Sequence, residues 1–367
     1  MNRPGQPQQG VLKVVYDYGR IRAMMPDMIS GFEVLKGRGF IDLLPIDSMA
    51  SLPPLRIGDT PLYGFRRFDS QELPFRVLFK DDGVNPTFSF KDRASALVSA
   101  FARERGFDTI VAASTGNAGS SVAGICASQR QKSVVMVPES APAAKLAQIV
   151  MYGARIVKVK GSYDDAFDMS IEATQKHGWY NRNTAYNPLT IEGKKTVSFE
   201  LFDQLGLELP DRIFVPTGDG VILSGVYKGF EELMMLGITD RIPVVVAVQA
   251  AGSDNLVRNL HTRDFTSEKS NTMADSISVD VPRNFLMAKQ FILRYQGEAI
   301  VVDDDEILQA SALLARNTGL FTEPASAAAF AGLLKYHLQG RIENGSINVV
   351  LLTGSGLKDI GAVKSLL

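Results

Sequence analysis

The chain predicts an α/β fold built on mostly parallel sheet. Three observations carry that prediction. First, seven short apolar runs recur along the sequence: Thr109–Ala113, Ser133–Val137, Ala154–Val159, Arg212–Val215, Pro243–Val248, Glu298–Val302 and Asn348–Leu352. Each is mostly apolar on both faces, the pattern of a parallel strand covered by helices on either side. Second, longer amphipathic segments separate the runs. Asp304–Arg316 places Ile307, Leu308, Leu313 and Leu314 near one face after an acidic start that complements the helix dipole. Ala325–Leu338 is alanine-rich and ends before Gly340, a C-terminal stop signal. Third, strand and helix alternate throughout, which selects α/β over segregated classes.

Composition narrows the function. The 367 residues hold 39 Lys+Arg against 40 Asp+Glu, so the formal net charge is −1. That balance argues against a nucleic-acid binder, which carries a basic excess. At 45% hydrophobic and 22% charged, the chain reads as globular. Its length suits two domains better than one, although no linker of biased composition marks a boundary. The single Cys126 excludes an intramolecular disulfide framework and a multi-cysteine zinc site. The three histidines, His177, His261 and His337, lack metal-ligand spacing, so no metal is expected. No apolar stretch is long enough to span a membrane. The polar segment Met1–Gly10 lacks the apolar core of a secretory signal, so a cytoplasmic enzyme is the expectation.

Four segments carry candidate chemistry. In Asn85-Pro86-Thr87-Phe88-Ser89-Phe90-Lys91-Asp92-Arg93, a turn precedes a helical run, which puts Lys91 at a helix start. The unpaired N–H groups there attract anions and lower a lysine pKa, and a partly neutral lysine attacks carbonyls. Taken alone, a lysine in such a place is most often an exposed surface residue. Ser114-Thr115-Gly116-Asn117 follows a strand and leads into a helix, where α/β proteins bind ligands. Ser114, Thr115 and Asn117 suit a carboxylate, and a plain tight turn is the equal alternative. Gly218-Asp219-Gly220-Val221-Ile222 also joins a strand to a helix, and its glycines allow close backbone approach to a phosphate. It is neither a P-loop nor a complete dinucleotide fingerprint. Asp219 would repel a phosphate, so it is expected to turn away or to accept backbone hydrogen bonds. Thr353-Gly354-Ser355-Gly356 closes the last strand, where Thr353 offers a neutral hydroxyl to a heterocyclic nitrogen.

The order of these four segments resembles the fold-type II pyridoxal-phosphate enzymes, and within them the threonine synthases. The likeness runs from Val14-Val15-Tyr16-Asp17 to Lys358-Asp359. It includes Gly58-Asp59-Thr60-Pro61-Leu62, Asn187-Pro188, Glu192-Gly193-Lys194-Lys195-Thr196, Gln249-Ala250-Ala251-Gly252 and Glu323-Pro324-Ala325-Ser326. The resemblance implies two three-layer α/β domains with mostly parallel sheets and the cofactor between them. The larger would comprise 1–89 and 196–367, and the smaller, mobile one 90–195. It implies pyridoxal 5′-phosphate in Schiff-base linkage to Lys91, which also serves as acid and base. Asn117 would bond the ring hydroxyl, and Thr353 would face the pyridine nitrogen. Gly218, Asp219, Gly220, Val221 and Ile222 would give backbone N–H groups to the cofactor phosphate. Ser114, Thr115 and Asn117 would grip the substrate α-carboxylate. The implied reaction turns O-phosphohomoserine and water into threonine and phosphate in a homodimeric enzyme with no nucleic-acid or membrane partner.

The chain departs from the family pattern at defined positions. Phe88 stands where glycine or alanine is common, and Ser355 where histidine is usual. The loop reads Gly-Asp-Gly-Val-Ile in place of Gly-Asn-x-Gly-Asn, and a cysteine-rich N-terminal stretch is absent. Thr190 occupies the position matched to a substrate-phosphate arginine, and threonine cannot form the bidentate fork. Asn183, Thr184, Lys194, Arg182 and Lys195 are the candidates to compensate. These departures keep open a related replacement enzyme acting on phosphoserine, or an amino-acid ammonia-lyase. A non-catalytic homologue that binds an amino acid or a partner is the alternative from another class, and the intact lysine and glycine loops argue against it.

Overall fold

The computed structural model describes residues 5, 6 and 8–362; Met1–Pro4 and Pro7 of the polar N-terminal stretch lie outside the described residues. Among the described residues, ten strands form two sheets. They are β1 (Leu62–Phe68), β2 (Gln71–Asp81), β3 (Thr109–Ala113), β4 (Lys132–Pro138), β5 (Arg155–Val159), β6 (Tyr180–Asn181), β7 (Arg212–Pro216), β8 (Val244–Ala250), β9 (Glu298–Val302) and β10 (Ile347–Leu352). The helices are α1 (Tyr18–Ala23), α2 (Met28–Gly37), α3 (Lys91–Glu104), α4 (Asn117–Gln129), α5 (Ala143–Met151), α6 (Tyr163–His177), α7 (Leu189–Gln204), α8 (Val221–Met235), α9 (Phe285–Arg294), α10 (Asp304–Thr318) and α11 (Pro324–Leu338).

All seven expected strands form. β3 is buried at every position, and β7, β8 and β10 at nearly every one, because helices cover both faces. The capping box Asp303/Glu306 starts α10, and α11 has Pro324 at its first turn. The order in the larger sheet is β1-β2-β10-β7-β8-β9, with only the β1–β2 pair antiparallel. The smaller sheet runs β5-β4-β3-β6, all parallel.

These orders place the functional region. In the smaller sheet the chain winds outward from β3 to β4 and β5, then returns to the other side of β3 as β6. In the larger sheet it winds from β7 to β8 and β9, then returns beside β7 as β10. Each reversal opens a crevice at the carboxyl ends of its strands, where α/β proteins hold ligands. The residues that follow those four strand ends are Ser114, Arg182, Thr217 and Thr353.

Two buried ionic clusters brace the fold beside this region. Arg93 joins Asp82 at 2.6 Å and Glu200 at 2.6 Å, and Lys80 joins Glu200 at 2.7 Å. Between α7 and α8, Lys195 reaches Glu192 at 2.6 Å and Glu232 at 2.8 Å, while Lys228 pairs with the same two carboxylates. Tyr16 closes this second cluster, donating its hydroxyl to Glu192 at 2.6 Å with its ring 4.3 Å from Lys195 Nζ.

Candidate active site

A cleft of about 480 Å³ lies where the crevices meet, a size suited to a cofactor with a small substrate. It gathers twelve of the thirteen predicted site residues. Lys91, Ser114, Thr115, Asn117, Asn183, Thr184 and Lys194 line one part, and Gly218, Asp219, Gly220, Val221 and Ile222 line the other. Thr353 is not among the lining residues. It is buried behind them: its carbonyl accepts the Phe90 N–H at 2.9 Å and its N–H donates to Ser326 Oγ at 2.8 Å.

Three helices begin at the cleft: α3 at Lys91, α4 at Asn117 and α8 at Val221. Their first N–H groups have no partner within the helix, so the wall is electropositive before any side chain is counted. The turn before α8 presents backbone alone. A Cβ on Gly218 would meet Ile277 Cα at 2.9 Å, and Gly220, at φ +82°, would meet Ala288 Cβ at 2.8 Å. This cradle fits the phosphate of pyridoxal phosphate. Asp219 turns aside as expected, and its carboxylate accepts the Arg283 backbone N–H at 3.1 Å.

Lys91 is half-buried at the first position of α3. Burial is the main reason its pKa lies below the ordinary lysine value. Glu323 and Asp219 oppose the shift, and Arg182 reinforces it. The helix start favoured in the sequence reasoning is present, but desolvation leads. Lys194 Nζ is fully buried without a hydrogen-bond partner, and burial, then Arg182 and Lys91, push its pKa well down. Arg182 is also fully buried. It donates to Ser95 Oγ at 3.1 Å and Thr184 Oγ1 at 2.9 Å, both neutral, and burial lowers its pKa to about 10.

The departures from the family pattern now have places. Phe88 is 46% exposed at φ +67° and lies outside the cleft lining, so its bulk does not narrow the site. A left-handed position also explains why glycine suits it. Thr190 is buried with its hydroxyl donated to the Asn187 carbonyl at 2.8 Å, and it too is absent from the lining. Ser355 uses its side chain to cap a short turn. Lys195 belongs to the second ionic cluster and not to the cleft. Asn183 reaches the cleft, but its amide is bonded at both ends, to the Ala113 N–H at 2.7 Å and to Ser170 Oγ at 2.6 Å. It braces the end of β3.

Sequence reasoning missed part of the wall. Ser162, Tyr163 and Asp164 at the start of α6 line the cleft, as do Asp275–Val281 and Arg283. Arg283 lies 5.2 Å from the Tyr163 ring and 4.5 Å from the Phe167 ring, and it pairs with Asp164. The Ser162/Asp165 capping box was readable as a helix start, but nothing local marks residues 275–283. Among the described residues, no group of three or more His, Cys, Asp or Glu could hold a metal, and no helix is long and apolar enough to cross a membrane.

The family described as pyridoxal-phosphate dependent enzymes matches residues 54–354. A threonine synthase of Methanocaldococcus jannaschii is 37% identical over 359 residues, covering 95% of this chain and 87% of that protein. One of Methanosarcina acetivorans is 36% identical over 357 residues, covering 95% and 86%. The processed form of threonine deaminase isoform 2 from Solanum lycopersicum shares the fold with a TM-score of 0.73 at 20% identity, covering 100% of this chain and 94% of that one. The chain therefore belongs to the fold-type II family of pyridoxal-phosphate-dependent enzymes, with threonine synthases among its relatives, and is a lyase of that family.

Proposed function

We propose that the protein is a threonine synthase, converting O-phosphohomoserine and water into threonine and phosphate. The observation that carries this reading is the pair Arg182 and Lys194, buried basic groups on the cleft wall that, among the described residues, no carboxylate contacts by a hydrogen bond or an ion pair. Burial holds both pKa values below their ordinary ranges, and an anion from outside the chain would supply the counter-charge that favours their charged forms. The cofactor phosphate is already provided for by the turn at Gly218–Ile222. A second phosphate, on the substrate, is the group that fits, and the pair replaces the arginine that Thr190 displaces.

Pyridoxal phosphate bound at Lys91 Nζ supplies an electron sink for carbanion chemistry. The protein does the positioning. Ser114, Thr115 and the first N–H groups of α4 hold the substrate α-carboxylate. Lys91, its pKa lowered by burial, is the base for the proton beside that carboxylate, and once protonated it is the acid that returns a proton to carbon. Arg182 and Lys194 stabilise the charge that grows on the departing phosphate, with Thr184 orienting Arg182. We assign the Thr353 hydroxyl to the ring nitrogen.

We further assign residues 90–195 as the unit that closes over the substrate and excludes bulk water. Contacts between it and the rest of the chain support this: Arg283 with Asp164, Lys145 with Asp275 at 2.8 Å, and Lys358 with Gln148 at 2.7 Å. A homodimer is inferred from the family resemblance alone. Incubation of the cofactor-loaded protein with O-phosphohomoserine is expected to release threonine and phosphate in equal amounts. Turnover of phosphoserine, or deamination of threonine, with no threonine formed from O-phosphohomoserine, would contradict the reading.

A further inference from the structure

Glu323 lies in the middle of the molecule with no evident structural use for its charge. It caps the start of α11 and is 4% exposed. Its carboxylate does not pair with a cation. Instead it receives the side-chain amide of Asn117, whose Nδ2 lies 2.9 Å from one oxygen and 3.0 Å from the other. The same Nδ2 also donates to Ser276 Oγ at 3.1 Å. The site is built to admit the carboxylate. A Cβ on Gly354 would stand 2.5 Å from Glu323 Oε1, so glycine there lets the carboxyl group keep this position, and the Glu323 N–H ties back to the Gly354 carbonyl at 3.1 Å.

The consequence lies at Asn117, which lines the cleft. Both Glu323 oxygens face the same amide nitrogen, so the carboxyl group holds that end of the amide and fixes the flip; burial raises the Glu323 pKa, and the Asn117 bond, Lys91 and Lys358 oppose the shift. Both hydrogens of Nδ2 are then committed, one to Glu323 and one to Ser276. The end left for a ligand is Oδ1, an acceptor. We propose that Glu323 is a positioning residue that orients Asn117 so that its carbonyl oxygen, and not its amide nitrogen, meets the ring hydroxyl of the cofactor. A carbonyl oxygen favours a hydroxyl that keeps its proton. The Glu323–Asn117 pair thus sets the balance between the protonated and ionised forms of that hydroxyl. The other groups facing Glu323 are Lys91 from α3, Lys358 from the C-terminal turn and Ser276. This inference rests on the cofactor lying between Lys91 and Asn117, and is independent of the substrate assigned above.

The test is spectroscopic and needs no turnover. Pyridoxal phosphate bound to a lysine shows two absorption bands, whose ratio reports whether the ring hydroxyl holds its proton. Wild-type protein loaded with pyridoxal phosphate is compared with Glu323→Gln, Ser276→Ala, Asn117→Ala and the double variant Glu323→Gln/Asn117→Ala. A glutamine in place of Glu323 can bond either end of the Asn117 amide, so the flip is no longer fixed. The band ratio is expected to move about 3- to 10-fold toward the ionised form in Glu323→Gln, the span of one hydrogen bond. Ser276→Ala should move it the same way by less and serves alone if Glu323→Gln does not fold. In the Asn117→Ala background the Glu323→Gln shift should vanish, because the coupling runs through that amide. An unchanged ratio in Glu323→Gln, with only a lower melting temperature, would overturn the proposal by showing a merely structural role. An equal shift with and without Asn117 would also overturn it. Absence of any cofactor band in the wild-type protein would instead refute the placement of the cofactor at Lys91.

Discussion

Lys194 and Lys195 are neighbours on α7, equally buried, and opposite in fate. Lys195 points between α7 and α8 and is held by two carboxylates, Glu192 and Glu232. Lys194 points into the cleft with no hydrogen-bond partner. One step along a helix turns a side chain through about 100°, which here separates a neutralised charge from an open one. The same contrast divides Arg93, paired with Asp82 and Glu200, from Arg182, which has only neutral acceptors. Burial alone therefore does not mark a functional charge in this protein; burial without a counter-charge does. The paired clusters brace the scaffold, and Arg182 and Lys194 are the groups we propose for an anionic ligand.

The comparison can be broken at several points. Lys91→Ala should have the largest effect. Loss of the covalent anchor and of the base should remove the visible cofactor band and lower threonine formation about 10⁴-fold or more, read by absorbance and by product assay. A retained band would place the cofactor elsewhere. Lys195→Met should spare the cleft but leave Glu192 and Glu232 with Lys228 alone. Breaking a buried ion network is worth about 3–5 kcal/mol of stability, read from the midpoint of denaturant unfolding.

A smaller effect is expected from acid. Burial would raise the Glu200 pKa, but Arg93 and Lys80 outweigh it and hold the carboxyl at about 2, below its ordinary 4.5. A depressed carboxylate pKa stabilises the fold above the unfolded value and loses that contribution as pH falls through the folded one. Stability should thus decline between about pH 4.5 and pH 2 by about 3 kcal/mol from this group. Glu200→Gln should flatten that segment of the profile, as followed by unfolding at a series of pH values.

Much of the fold was legible because its central strands are buried on both faces and read as continuous β-branched runs. The missed strands lack that signature. β1 and β2 form the antiparallel edge and carry Arg66, Arg67, Glu72 and Arg76, and β6 is two residues long. The cleft was legible where small residues and glycines follow a strand, since that chemistry is local. Residues 275–283, Asp164 and Arg283 reach the cleft through tertiary packing of distant segments, and local sequence does not encode that. Glu323 was visible as part of Glu-Pro-Ala-Ser, but its hold on Asn117 spans 206 positions of chain. The fate of Lys194 against Lys195 was likewise hidden, because only the packing of α7 against α8 decides which lysine meets the carboxylates.

The most direct test of the contrast is Lys194→Met, with the KM for O-phosphohomoserine and the unfolding midpoint measured on the same preparation. Loss of one charge-assisted contact should raise KM about 10- to 100-fold, while stability holds or rises because a buried amine without a hydrogen-bond partner has been removed. An unchanged KM together with a loss of stability as large as that of Lys195→Met would contradict the account, since Lys194 would then be one more structural charge.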